Sequence, residues 1–375
     1  MIKKGHEMRI GTVKEIKSAE RRVALTPAGA RELTTLGHEV LLEPDAGVGS
    51  GFADGAYESA GAQILGSAEE VWGESDLLLK VKEPIEVEYP LMRADLTIFT
   101  YLHLAPNRPL TEALLTSKAT GIAYETVEKG HGHLPLLTPM SEIAGRLAAQ
   151  AGAYFLQGPL GGPGLLIGGV TGVAPAKVLV IGGGIVGTQA ARIALGLEAE
   201  VTILERSLER LHGLDEYFGS QARILMSDAI VLEEALREAD VVIGAVLVPG
   251  ALAPRLVTRE MLSCMKPNSV IVDVAIDQGG CFETSHPTTH ADPVFEVDGV
   301  LHYCVANMPG AVPITATRAL TNATMPYIRS LAEMGIDAAL AADPGLGLGL
   351  NVRNGEITYE PVAIAYAGKT PVAPW

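Results

Sequence analysis

The chain has 375 residues, enough for about two to three domains and for a large buried core. With 48% hydrophobic and 19% charged residues it is not a disordered chain, and a net charge of −16 repels phosphate backbones, which excludes nucleic acid as an expected partner. Three widely spaced cysteines, Cys264, Cys281 and Cys304, fit neither a disulfide framework nor a thiolate zinc site, so no metal is expected.

The first residues carry no signal-peptide core. The apolar stretch 160–187 is interrupted by Pro163, Pro175, Lys177 and many glycines, so it is not a spanning helix; a cytoplasmic protein with no membrane partner is expected. Residues 9–13 read as a strand. Thr26-Pro27 reads as an N-cap followed by proline at the first helical position, with Gly37 closing that helix. Strands follow at 39–42, 76–81 and 96–102, a helix at 110–117 and a strand at 121–127. This alternation implies a parallel, doubly wound sheet. Residues 140–156 read as a long helix that runs into the Gly- and Pro-rich segment 157–164, and a domain crossing is placed at or just before that helix. A second alternating run has strands at 177–181, 201–205, 222–227, 240–246 and 269–273, with a possible sixth at 301–305. Helices at 186–195, 208–218 and 231–238 lie between them. A helix at 321–334 could return the chain to the first domain, and the Gly- and Pro-rich tail beyond Pro344 says little.

The strand at 177–181 runs directly into Gly182-Gly183-Gly184-Ile185-Val186-Gly187, a G-x-G-x-x-G that follows a strand and opens a helix. Gly182 permits the tight turn, Gly184 lets the backbone approach a pyrophosphate, and Gly187 lets the helix pack closely. The helix N-terminus offers free amides to phosphate. Glu205, 23 residues after Gly182, stands where an acid accepts hydrogen bonds from the adenosine ribose. An acid there favours NAD over NADP, although Arg206 beside it works against that preference. The competing reading is a glycine turn that holds no ligand.

A dehydrogenase also needs groups that hold substrate and carry protons, and in open α/β sheets these lie beyond the carboxyl ends of strands. Lys82 and His103 each follow a strand of the first domain; the alternative is a solvated lysine and a packed histidine. Asp277 follows a strand of the second domain, near where a nicotinamide would lie, or else caps a turn. Arg22 is a candidate carboxylate clamp because a guanidinium grips two oxygens at once, but adjacent Arg21 is an equal candidate on sequence alone.

At these residues the chain resembles the alanine dehydrogenase and transhydrogenase α-subunit family over nearly its whole length. The resemblance is carried by Arg21-Arg22-Val23-Ala24, Leu79-Lys80-Val81-Lys82-Glu83-Pro84, Tyr101-Leu102-His103-Leu104-Ala105, Pro139-Met140-Ser141-Glu142-Ile143-Ala144-Gly145-Arg146, Gly244-Ala245-Val246-Leu247-Val248-Pro249-Gly250, Ala275-Ile276-Asp277-Gln278-Gly279-Gly280 and Val305-Ala306-Asn307-Met308-Pro309. It implies an α/β fold of two Rossmann-like, doubly wound domains. A discontinuous substrate domain, 1–139 and 308–375, would carry an inserted NAD-binding domain, 140–307. It implies reversible NAD-dependent deamination of L-alanine to pyruvate and ammonia by a homohexamer.

Arg22, rather than Arg21, and Lys82 would hold the substrate, and His103 and Asp277 would handle protons. Contacts to NAD are implied for Ser141, Ile185, Val186, Glu205, Arg210, Ser227, Val246, Leu247, Val274, Ala275, Ile276, Asp277, Val305, Ala306, Asn307 and Met308, beside the three glycines. Two positions depart from the family: Glu205 where relatives often have Asp, and Arg210 where they often have Lys. Rival functions are the NAD-binding subunit of a proton-translocating transhydrogenase, a dehydrogenase for another amino acid, and a non-catalytic NAD sensor. Turnover of alanine with NAD by the purified chain sets aside the transhydrogenase subunit and the sensor, and rates with a panel of amino acids separate the other dehydrogenases.

Overall fold

Parallel strands buried on both faces dominate the fold, because the runs Leu77–Leu79, Thr97–Thr100, Val241–Gly244 and Val270–Asp273 are buried at every residue. The computed structural model describes residues 7–130, 132–246 and 253–368; Leu247, expected at the cofactor, lies outside them. In chain order the strands are β1 (Arg9–Thr12), β2 (Glu39–Leu42), β3 (Gln63–Ile64), β4 (Leu77–Leu79), β5 (Thr97–Thr100) and β6 (Thr120–Ala123). Then come β7 (Lys177–Ile181), β8 (Glu200–Glu205), β9 (Ala222–Met226), β10 (Val241–Gly244), β11 (Val270–Asp273), β12 (Val294–Val297) and β13 (Val300–Tyr303). The last are β14 (Leu350–Arg353) and β15 (Glu356–Ile357).

These strands form two sheets, ordered β15-β14-β6-β5-β4-β1-β2-β3 and β12-β13-β11-β10-β7-β8-β9. The parallel part of each follows one pattern: third, second, first, fourth, fifth and sixth strand, the doubly wound order of Rossmann domains. Among the described residues the chain divides into two compact units, 7–140 with 312–368, and 141–311.

Local chemistry sets the helix starts. Thr26 caps Pro27–Thr35 by accepting from the Gly29 amide, and Gly37 takes the left-handed φ of +93° after that helix. Ser207 and Asp228 cap Leu208–Phe218 and Ala229–Glu238 in the same way.

Several elements differ from the sequence reading. The strand expected at 121–127 ends at Ala123, and the chain turns into a short 3₁₀ segment, Tyr124–Thr126. The helix expected from Thr321 begins at Pro313, the proline taking the first helical position that suits its fixed φ. The tail beyond Pro344 supplies β14 and β15, which extend the first sheet antiparallel from β6. The two-residue β3 and the antiparallel edge strand β12 are also absent from the sequence reading. No helix among the described residues is long and apolar enough to cross a membrane.

A buried ion cluster lies in the first unit. Lys80, 1% exposed, is held between Glu15 at 3.1 Å and Glu88 at 2.8 Å. Burial alone would lower the ammonium's affinity for its proton, but the two carboxylates outweigh it and hold Lys80 above its ordinary value. Removing the cation would strand two buried carboxylates. We expect Lys80→Met to cost about 3–5 kcal/mol at neutral pH. A carboxyl whose folded pKa is raised destabilises the fold where it is ionised, so the deficit should shrink as pH falls from neutrality toward the unfolded carboxyl value of about 4.3. Urea unfolding at pH 7.5 and 4.5 checks this; a deficit that did not narrow on acidification would be the contrary result.

Candidate active site

Where a parallel strand ends, its last amides leave the sheet ladder and need new acceptors. At the carboxyl edge of the first sheet those acceptors are glutamates. Glu15, just past β1, accepts through Oε1 from the amides of Val81 at 2.5 Å and Lys82 at 3.2 Å, and the Thr100 hydroxyl donates to the Lys82 carbonyl at 3.1 Å. The backbone of Lys82 is thus gripped on both sides. Its side chain is half-buried and makes no hydrogen bond among the described residues. Lys82, Lys17 and His103 lie around Glu83. Burial would raise the Glu83 carboxyl, but the positive charge of Lys82, the bond to Lys17 and the field of His103 hold it below the usual range.

His103 follows β5 and has a left-handed backbone, φ +48°. Its ring stacks on Tyr101 at 5.9 Å with 12° between planes, and the Tyr101 hydroxyl donates to the Leu136 carbonyl at 2.6 Å. Burial pushes the Tyr101 phenol far up, so it stays neutral.

Arg22 is 2% exposed, whereas Arg21 lies at the surface. Glu20 takes one edge of the Arg22 guanidinium in a fork, Nε to Oε1 at 2.7 Å and Nη2 to Oε2 at 2.6 Å, while Nη1 faces the Met140 sulfur at 3.0 Å. Burial would lower the Arg22 pKa, but the bond and charge of Glu20 outweigh it. The guanidinium is therefore permanently charged and fixed in orientation. Arg22, Lys82 and His103 all belong to the carboxyl-edge loops of one sheet, following β1, β4 and β5.

The second sheet presents the glycine loop at the carboxyl end of β7. Gly182 has φ +100°, and a Cβ there would meet the Ala245 carbonyl at 2.8 Å. A Cβ on Gly187 would meet the Gly182 carbonyl at 1.8 Å, so only glycine lets the helix Ile185–Gly196 start so close to the loop. Around Gly184 a Cβ would meet nothing within 4 Å, and this residue caps the helix with no side-chain bond. Open space over an uncapped helix start suits a pyrophosphate, so the residues present fit a dinucleotide.

Glu205, at the end of β8, accepts from the amides of Gly183 at 2.8 Å, Arg206 at 2.7 Å and Ser207 at 2.9 Å. Arg210 reaches back to the Gly183 carbonyl at 2.6 Å and the Thr188 hydroxyl at 3.2 Å. Both residues singled out around the ribose thus also brace the glycine loop.

The other expected cofactor residues lie in this unit. Ser227, Val246 and Val305 follow the ends of β9, β10 and β13, and Val274, Ala275, Ile276 and Asp277 form the 3₁₀ turn after β11. Ala306 donates to the Thr288 carbonyl, Met308 opens a further 3₁₀ turn, and Ser141 lies near the start of the helix Thr138–Phe155. The turn after β11 is capped by Asp273, which accepts from the Ala275 amide at 3.1 Å. Asp277 is exposed and instead accepts from the Asn307 amide at 3.2 Å; Asn307 is left-handed like His103. Among the described residues no group of His, Cys, Asp or Glu is arranged to hold a metal ion.

Sequence reasoning missed Glu15, Glu20 and Glu125. Glu20 stands two residues from Arg22, but nothing in its spacing announces a fork. Glu15 and Glu125 act on amides 66 and 22 residues away, a pairing that only the sheet order reveals.

Comparison with known proteins agrees with this geometry. Residues 11–144 match the family model "Alanine dehydrogenase/PNT, N-terminal domain", and residues 148–360 match "Alanine dehydrogenase/PNT, C-terminal domain". The chain is 57% identical to an alanine dehydrogenase of Halomonas elongata, over 96% of this chain and 97% of that protein. It is 56% identical to one of Bacillus subtilis, over 95% and 94%. Among solved structures it resembles an L-alanine dehydrogenase at 52% identity and a TM-score of 0.93, covering 96% of this chain and 99% of that one. A transhydrogenase from Sinorhizobium meliloti is similar at 26% identity and a TM-score of 0.80, covering 93% and 100%. With a model of each half matched in order along one chain, and relatives this similar over nearly their full length, the chain belongs to the alanine dehydrogenase/PNT family.

Proposed function

We propose that this chain catalyses the reversible NAD-dependent oxidative deamination of L-alanine to pyruvate and ammonia. The observation that carries this reading is the gathering of Arg22, Lys82 and His103 at one sheet edge, in a chain 57% identical to an alanine dehydrogenase. A subunit that only bound NAD would have no use for two substrate-holding cations beside a histidine. In this reading residues 1–139 and 308–375 form the substrate domain and 140–307 the NAD domain, and the working enzyme is a cytoplasmic homohexamer.

NAD, when bound on the glycine loop, supplies the hydride acceptor. The residues of this chain do the rest. Arg22, already turned by Glu20, and Lys82 hold the carboxylate and carbonyl oxygens and so orient the α-carbon. As the α-hydrogen leaves, the amine becomes an iminium. Water adds to its carbon, and His103 and Asp277 carry the protons that accompany water addition and ammonia departure. Initial rates with NAD and a panel of amino acids, and with NADH, ammonia and pyruvate or glyoxylate, test the reading. Absence of turnover by the pure chain would favour the transhydrogenase-subunit or sensor alternative. A larger kcat/KM for another amino acid would change the substrate.

His103→Ala should lower kcat by about 10²-fold or more while NAD affinity, taken by fluorescence titration, stays near wild type. Asp277→Asn should depress kcat in both directions and flatten one limb of the pH–rate profile. Wild-type turnover in either variant removes that residue from proton transfer.

Arg22→Lys keeps a cation for Glu20 but removes the fork. We expect kcat/KM for pyruvate to fall by about one to two decades with NAD binding little changed, since the lost contact is on the scale of 1.5–3 kcal/mol. An unchanged kcat/KM would mean that Arg22 does not touch substrate.

A preference for NAD over NADP is expected from Glu205. Because this carboxylate also holds the Gly183 amide, Glu205→Ser should weaken NAD binding and narrow the NAD/NADP ratio of kcat/KM together. A ratio left unchanged would assign the discrimination elsewhere.

A further inference from the structure

His103 occupies a backbone conformation that residues with a Cβ avoid, φ +48°. Such a conformation persists only where neighbouring contacts impose it. Here the imposing group is one carboxylate. β5 and β6 pair as far as Thr100 and Ala123. Beyond that point β6 gives way to the 3₁₀ turn Tyr124–Thr126, which carries Glu125. Glu125 accepts from the His103 amide through Oε1 at 2.6 Å, and from the preceding Leu102 amide through Oε1 at 3.1 Å and Oε2 at 3.2 Å. Two successive amides converging on one anion bend the chain out of the strand and into the left-handed region. The ring is then fixed from a second side by its stack on Tyr101.

We propose that Glu125 is a positioning residue for proton transfer: its carboxylate imposes the left-handed backbone of His103 and so aims the imidazole at the substrate. This rests on the reading of His103 as the proton carrier. The same device recurs on the adjoining strand, where Glu15 grips the amides of Val81 and Lys82, so the two loops bearing Lys82 and His103 are each tied down by a glutamate from another strand end. Glu125 differs from Glu15 in being half-buried and outside the Lys80 ion cluster, so its removal leaves that cluster intact. A glutamine that kept its oxygen at the Oε1 position would still face both amides, but it would lose the negative charge and turn an NH₂ toward the Leu102 amide in place of Oε2, so it would hold the bend less firmly than the carboxylate.

The test is a double-mutant cycle with Glu125→Gln, Glu125→Ala and His103→Ala. If Glu125 acts through His103, Glu125→Gln should lower kcat about 10-fold and Glu125→Ala about 10²-fold, with NAD affinity and the KM for NAD near wild type. In the His103→Ala background neither change should lower kcat further. A merely structural role predicts the opposite: losses that add to those of His103→Ala and that come with a lower Tm. A crystal structure of the Glu125→Ala variant, which removes both acceptor oxygens, gives a readout independent of turnover, in which His103 should leave the left-handed region. Wild-type kcat in both single variants, or additive losses, would overturn the proposal. So would His103 staying at positive φ in the variant. If the wild-type chain itself turned over no alanine, the proposed function would fail, while the crystallographic arm would still judge whether Glu125 holds His103.

Discussion

The end of a parallel sheet is a place of unmet hydrogen bonds, and most of this molecule's chemistry follows from how they are met. Each amide past the last ladder pair must find an acceptor or stay in water. Here the acceptors are carboxylates: Glu15 and Glu125 at the first sheet, Glu205 and Asp277 at the second. A carboxylate takes several donors at once, so each of the three glutamates fixes two or more loop positions, while Asp277 holds the Asn307 amide alone. The acidic net charge is thus more than a solubility feature, since some of those acids serve as fasteners for loop backbone.

This arrangement also explains why cations and acids alternate through the first unit. Arg22 is buried because Glu20 takes one edge of it, and Lys80 is buried because Glu15 and Glu88 flank it. Neither ion would be tolerated alone in the interior. Glu15 does two jobs, neutralising Lys80 with one oxygen and holding the Lys82 backbone with the other. The position of a proposed substrate-binding lysine therefore depends on a buried ion pair that never meets substrate.

What the sequence made legible was local. The strand-then-glycine pattern at Lys177–Ile181 and the cap Thr26 are statements about residues a few positions apart, and they appear where the pattern put them. The resemblance singled out Arg22 over Arg21, and the structure buries Arg22 while leaving Arg21 at the surface. Glu125 was illegible because its meaning depends on β6 lying next to β5. β14 and β15 carried a local signal that the sequence reading passed over: Leu350-Asn351-Val352-Arg353 alternates apolar and polar residues, and Asn354-Gly355, both left-handed, form the two-residue turn to β15, whereas the pairing of β14 with β6 is long-range. For Asp277 the sequence offered a turn cap as the alternative, and the structure gives that task to Asp273.

The return of the chain to its first sheet has a consequence for biosynthesis. β6 gains its outer neighbour, β14, only after the whole of the second unit has been made. At about 5–20 residues per second, translating residues 141–311 takes on the order of ten to thirty seconds. Through that interval β6 is an open sheet edge with unpaired amides, on a strand whose four residues are all buried in the finished fold. The second unit, drawn from one continuous stretch, can close as soon as it emerges from the ribosome. A nascent chain would thus pass through a state with one finished domain and one unfinished sheet, and premature termination anywhere before β14 would leave that edge open to pairing with another chain.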